Sequence, residues 1–70
     1  PNLGQAFSHR GIAYLGKGDV QRALADLNEG IRLAPKDPYT YSKRGDFYHA
    51  QGDNQRALAD YDAALRIDPR

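Results

Sequence analysis

Apolar and polar positions along this chain recur with the period of helices. Ala6, Phe7, Ala13 and Tyr14 return at intervals that keep them on one helical face. Ala23, Leu24, Leu27, Ile31 and Leu33 gather largely on one side of a second segment. The pattern predicts a first helix from about Leu3 to Lys17 and a second from about Val20 to Ala34. Between them Gly18 offers a left-handed residue to close one helix, and Asp19 can cap the next. Pro35 stops the second helix, and Asp37 followed by Pro38 is a start signal, because Pro is tolerated in a first turn. A third helix then runs from Pro38 to about Gln51, Gly52-Asp53 repeats the break, and a fourth runs to about Ile67 before Pro69.

The second half restates the first. Gly18-Asp19-Val20-Gln21-Arg22-Ala23-Leu24-Ala25-Asp26 returns as Gly52 to Asp60, with only Val20 and Asn54 differing. In the same register Ser8 matches Ser42, Arg10 matches Arg44, Gly11 matches Gly45, Tyr14 matches Tyr48 and Pro35 matches Pro69. Character is kept at Phe7/Tyr41, Leu27/Tyr61, Ile31/Leu65 and Leu33/Ile67. An offset of 34 residues, Gly18 to Gly52, is the period of stacked helical hairpins. Gly11 facing Ala23, and Gly45 facing Ala57, would let paired helices approach where larger side chains would hold them apart. The expectation is an all-α chain of two tandem helix-turn-helix repeats, four antiparallel helices in all. Residues 4–37 form the first repeat and 38–70 the second, with 1–3 as the tail of a preceding repeat or a linker.

At these positions the chain resembles the tetratricopeptide repeat family. The family pattern of aromatic, Leu-Gly, Tyr, Ala, aromatic and Pro stands here as Phe7, Arg10-Gly11, Tyr14, Ala23, Leu27, Pro35, and again as Tyr41, Arg44-Gly45, Tyr48, Ala57, Tyr61, Pro69. Phe7 and Tyr41 replace the usual Trp, and Leu27 replaces an aromatic. Arg10 and Arg44 replace the usual Leu, which places a charge on a semi-buried face. Asp26 and Asp60 recur with them, so Arg10 is expected to pair with Asp26 and Arg44 with Asp60, or else Asp26 with Arg44 across the hairpins. Such pairs would fix register more than they stabilise.

The resemblance implies a right-handed α-solenoid whose first helices line a groove for a protein or peptide. Gln5, Ser8, Ile12, Leu15 and Gly16 would face that groove from the first helix, and Tyr39, Ser42, Asp46, His49 and Ala50 from the third. Tyr39 is the best single anchor, as an exposed aromatic beside a groove. Repeats that clamp the carboxylate of chaperone tails carry Lys and Asn on this face. Ser8, Ile12, Ser42 and Asp46 occupy those places here, which argues against that ligand.

Stacked repeats bury a hydrophobic face against each neighbour. Leu58, Tyr61, Ala64 and Leu65 would await a following hairpin, and Ala6, Phe7, Ala13 and Tyr14 a preceding one. The two faces resemble each other's missing partner, so the second reading is a self-assembly module joining head to tail into a homo-oligomer.

Composition narrows the remaining classes. Ten Lys and Arg against nine Asp and Glu give a net charge of +1, too balanced and too dispersed for a nucleic-acid reader. No apolar run is long enough to span a bilayer. The chain has no Cys, which excludes disulfides and thiolate metal sites. His9 and His49 lie on different helical faces, and Asp60 and Asp62 point apart, so no catalytic set, metal site or cofactor motif is expected. Gly16-Lys17-Gly18 lacks the strand-to-helix setting of a phosphate loop and reads as a helix terminator. No signal pattern is visible, and compartment stays open with the cytoplasm as default.

Overall fold

A computed structural model describes residues 2–70, so Pro1 lies outside the described residues. Helices α1 (Leu3–Gly16), α2 (Val20–Leu33), α3 (Pro38–Ala50) and α4 (Asn54–Ile67) account for most of them. Asn2 and Leu3, read above as part of the tail of a preceding repeat or a linker, are the cap and first residue of α1.

Each helix begins on a side-chain oxygen. Asn2, Asp19, Asp37 and Asp53 accept from the backbone N–H of Gln5, Arg22, Tyr39 and Arg56 at 3.0, 3.1, 3.0 and 3.1 Å. These bonds satisfy donors that the first turn leaves free. The two hairpin turns are copies of each other. Gly18 and Gly52 adopt φ of 82° and 80°. The N–H groups of Asp19 and Asp53 then reach back to the carbonyls of Tyr14 and Tyr48, both at 2.9 Å. That backbone path closes a helix and reverses the chain within a few residues.

α1 packs along α2 and α3 along α4, while α3 also lies against both α2 and α1. The result is a slab of 31 × 31 × 16 Å. The buried stripe of α2 is Ala23, Asp26, Leu27 and Gly30; Leu33, grouped with it by periodicity, is 38% exposed. Phe47 from α3 closes onto Ala23 and Leu27 and so joins the two hairpins in one small core.

Close approach is achieved differently in the two hairpins. A Cβ on Gly11 would stand 2.9 Å from the Ala23 carbonyl oxygen, the contact that the paired small residues predict. A Cβ on Gly45 would instead strike the Tyr61 ring at 2.7 Å. Where the first repeat has Leu27, the second has a flat ring that fills the space above the glycine.

Candidate functional site

The arginines at the unusual family position sit in matching nests. Arg44 donates from Nε and Nη2 to both carboxylate oxygens of Asp60, each at 2.8 Å. Arg10 grips Asp26 in the same fork at 2.8 and 3.0 Å. Each guanidinium also lies among rings three residues before and four after it. Arg10 is 5.3 Å from Phe7 and 5.9 Å from Tyr14, and Arg44 is 5.7 Å from Tyr41 and 5.9 Å from Tyr48. A stem among aromatics and a head on a buried carboxylate explain how Arg stands where an aliphatic residue is usual. The paired carboxylate raises both guanidinium pKa values.

The two nests differ in cover. The Arg44 side chain keeps 23% of its exposure and Arg10 keeps 59%. Across the hairpins Arg44 reaches Asn28, whose Oδ1 accepts from Nη1 at 2.9 Å. Asp26 is bonded by Arg10 within its own hairpin, so the cross-hairpin role falls to Asn28.

The face shared by α1 and α3 is assembled from pairs spaced about one repeat apart. Gln5 donates to Asp37 Oδ2 at 2.9 Å. The Tyr39 hydroxyl is 3.2 Å from His9 Nε2, with ring centroids 5.5 Å apart, and Lys43 Nζ is 5.4 Å from the Tyr39 ring on its own helix. Ile12, Asp46, His49, Gly16 and Ala50 are exposed, and Leu15, Tyr39 and Ser42 are half-buried. His49 Nδ1 rests 3.2 Å from Asn54 Oδ1, and Asp46 accepts from the Tyr61 hydroxyl. That bond holds the proton on Tyr61 and raises its pKa.

Ser8 corrects the reading of this face. It is 0% exposed and cannot meet a groove ligand. Its hydroxyl donates to the Gly4 carbonyl at 3.0 Å, so the 2.6 Å contact with Thr40 has the threonine hydroxyl as donor. Gly30 has no Cβ because one would lie 2.7 Å from Ser8 Oγ and 3.1 Å from Thr40 Cγ2. The sequence did not single out Thr40, Lys43 or Asn28, and it named His9 only as a histidine on a different helical face from His49. The signal for Thr40 was a small polar residue aligned with Ala6.

At the ends, Leu58 is 63% exposed, Leu65 54% and Leu3 62%. Ala6 is exposed, while Phe7, Tyr14 and Tyr61 are half-buried. Ala64 is a second correction, since only 7% of it remains exposed; α3 covers most of it within the hairpin. It forms the floor of an open cleft of about 470 Å³ between Pro38, Ser42, Tyr61 and Leu65.

Two helical hairpins with duplicated turns, capped alike and stacked through small residues, are the geometry of a helical repeat array, and the tetratricopeptide repeat family model matches residues 9–70. The chain belongs to the tetratricopeptide repeat family. No curated protein matches it. Tetratricopeptide repeats are generally protein–protein interaction modules, and the all-α hairpin architecture here is that of the family. No helix among the described residues is long and apolar enough to cross a membrane.

Proposed function

We propose that this tetratricopeptide repeat pair is a non-enzymatic scaffold that binds an extended protein or peptide segment along the face shared by α1 and α3. The observation that supports this reading is the placement of Tyr39. Its ring is held between His9 of α1 and Lys43 of α3 and is half-buried, and exposed Ile12 follows His9 one turn along α1. A ring fixed by neighbours loses little freedom on contact, and such residues carry much of the energy of peptide recognition. Lys43 adds one cation beside the ring, and Asp46 is engaged by Tyr61. The face therefore suits a mixed polar and apolar segment more than a concentrated negative charge.

The test is a peptide array probed with the chain, followed by titration of the captured sequences. Tyr39→Ala should weaken them by about tenfold or more, the scale of a central aromatic contact, with the helical signal unchanged. Captured peptides that bind Tyr39→Ala and Ile12→Asp as tightly as the parent would defeat the groove reading.

A second reading has its own observation. Leu58 and Leu65 at one end, and Leu3 at the other, are more than half exposed. Apolar surface at both ends of a repeat stack favours head-to-tail self-assembly.

A further inference from the structure

We infer that the α4 end of one copy receives α1 of a second copy in the register that joins the two hairpins internally, with Arg10 of the incoming copy reaching Asp62. This deepens the self-assembly reading and rests on it.

The internal junction is the template. There Arg44 uses its third nitrogen, Nη1, on Asn28, after Nε and Nη2 are committed to Asp60. One repeat later Asn28 becomes Asp62, and one repeat earlier Arg44 becomes Arg10. Arg10 commits the same two nitrogens to Asp26. Asp62 is exposed on the outer side of α4. A neutral contact inside the chain thus becomes a guanidinium–carboxylate contact between copies, the stronger form of that hydrogen bond.

Side-chain size follows the same exchange. A Cβ on Gly30 meets its own hairpin first, at Ser8 Oγ and the Gly4 oxygen, and then Thr40 Cγ2 at 3.1 Å. At the corresponding place between copies the α4 side carries Ala64, which keeps only 7% of its exposure, and the incoming side chain is the smaller Ala6. Phe47 closes over Leu27 internally. Its counterpart is Ala13 over Tyr61, so here too the α4 residue is larger and the incoming one smaller than in the internal pair. Exposure agrees with a missing cover. Leu24, packed against the core that Phe47 completes, is half-buried, whereas its counterpart Leu58 is 63% exposed. One complementary pair could be coincidence; a charge pair and two size pairs in one register point to this occupant.

Ser8 Oγ and Thr40 Oγ1 are 2.6 Å apart internally, and their counterparts between copies are Ser42 and Ala6. The chain has no Cys, so a chain carrying Ala6→Cys mixed with one carrying Ser42→Cys in a glutathione redox buffer reads the register directly. The expected result is a 6–42 heterodisulfide well above that of a control mixture of Ala6→Cys with Gln21→Cys. Sedimentation equilibrium of the parent chain should show mass rising with concentration. Asp62→Arg should weaken that association by roughly tenfold or more, and Asp62→Asn should retain association but flatten its salt dependence. A parent that stays monomeric overturns the self-assembly reading itself. Association that persists in Asp62→Arg, without the 6–42 disulfide, leaves self-assembly standing and overturns this register.

Discussion

Gly18 and Gly52, Gly11, and Gly16 sit in three different physical settings, and substitution separates them. Gly18 and Gly52 hold φ near 80°, where a Cβ meets the following carbonyl. Gly18→Ala should therefore cost about 1–2 kcal/mol. Gly11 is helical but faces the Ala23 carbonyl at 2.9 Å from a would-be Cβ. The obstacle is backbone and cannot rotate away, so Gly11→Ala should cost about 1–3 kcal/mol despite its gain in helix propensity. Gly16 meets nothing within 4 Å, and Gly16→Ala should stabilise by about 0.4–1 kcal/mol. Thermal unfolding of the three variants should rank Gly16→Ala above the parent and the other two below it. Equal losses at all three would mean that local crowding is not what selects glycine.

At the scale of the helices, the pairs that hold one element to another are polar and unequally covered. Asp60 holds the better-covered arginine, so Asp60→Asn leaves Arg44 without its carboxylate in a partly enclosed nest. A loss of about 1–3 kcal/mol is expected, with a smaller loss for Asp26→Asn because Arg10 is open to water. Chemical denaturation of the two variants checks the order. Asn28→Asp, which gives Arg44 a second carboxylate across the hairpins, should stabilise by a few tenths to about 1 kcal/mol. The Tyr61–Asp46 contact sets a pH limit on the α3–α4 pairing. Its bond favours the neutral phenol, so Tyr61 titrates above its ordinary 10.0. The contribution is therefore intact below pH 10 and is lost as pH rises through the raised value. Tyrosinate absorbance should show one late-titrating group that disappears in Tyr61→Phe. An unchanged titration curve in that variant would mean the hydrogen bond has no hold on the phenol.

For the whole molecule, the slab leaves two faces and two ends available, and they make separable demands. On the proposed readings, a groove ligand would depend on Tyr39 and Ile12 and be indifferent to Asp62. Association between copies would depend on Asp62 and be indifferent to Tyr39. The core that joins the hairpins is small, centred on Ala23, Leu27 and Phe47, so covering the exposed Leu58 and Leu65 should stabilise the chain by mass action. The midpoint of thermal unfolding is accordingly expected to rise with protein concentration in the parent and to stay flat in Asp62→Arg. A midpoint independent of concentration in both would separate folding from any contact at the ends.

The sequence by itself determined the period, the helix count and the turns, because each depends on neighbours in the chain. Gly18 and Gly52 close their helices, and Asp19, Asp37 and Asp53 cap the next ones, within reach of a single turn. The family was legible for the same reason, since its landmarks are spaced along one repeat. Which positions are open was decided by the tertiary structure. Ser8 reads as a groove residue from helical spacing and is buried because Thr40, from the next hairpin, lies on it. Ala64 reads as an end residue and is covered by its own α3. Arg10 and Arg44 are the same residue in the same local setting, yet one is open and the other is covered, because among the described residues the first hairpin sets Asn28 beside Arg44. Local spacing fixes which way a side chain leaves its helix; the packing of whole hairpins fixes what it meets.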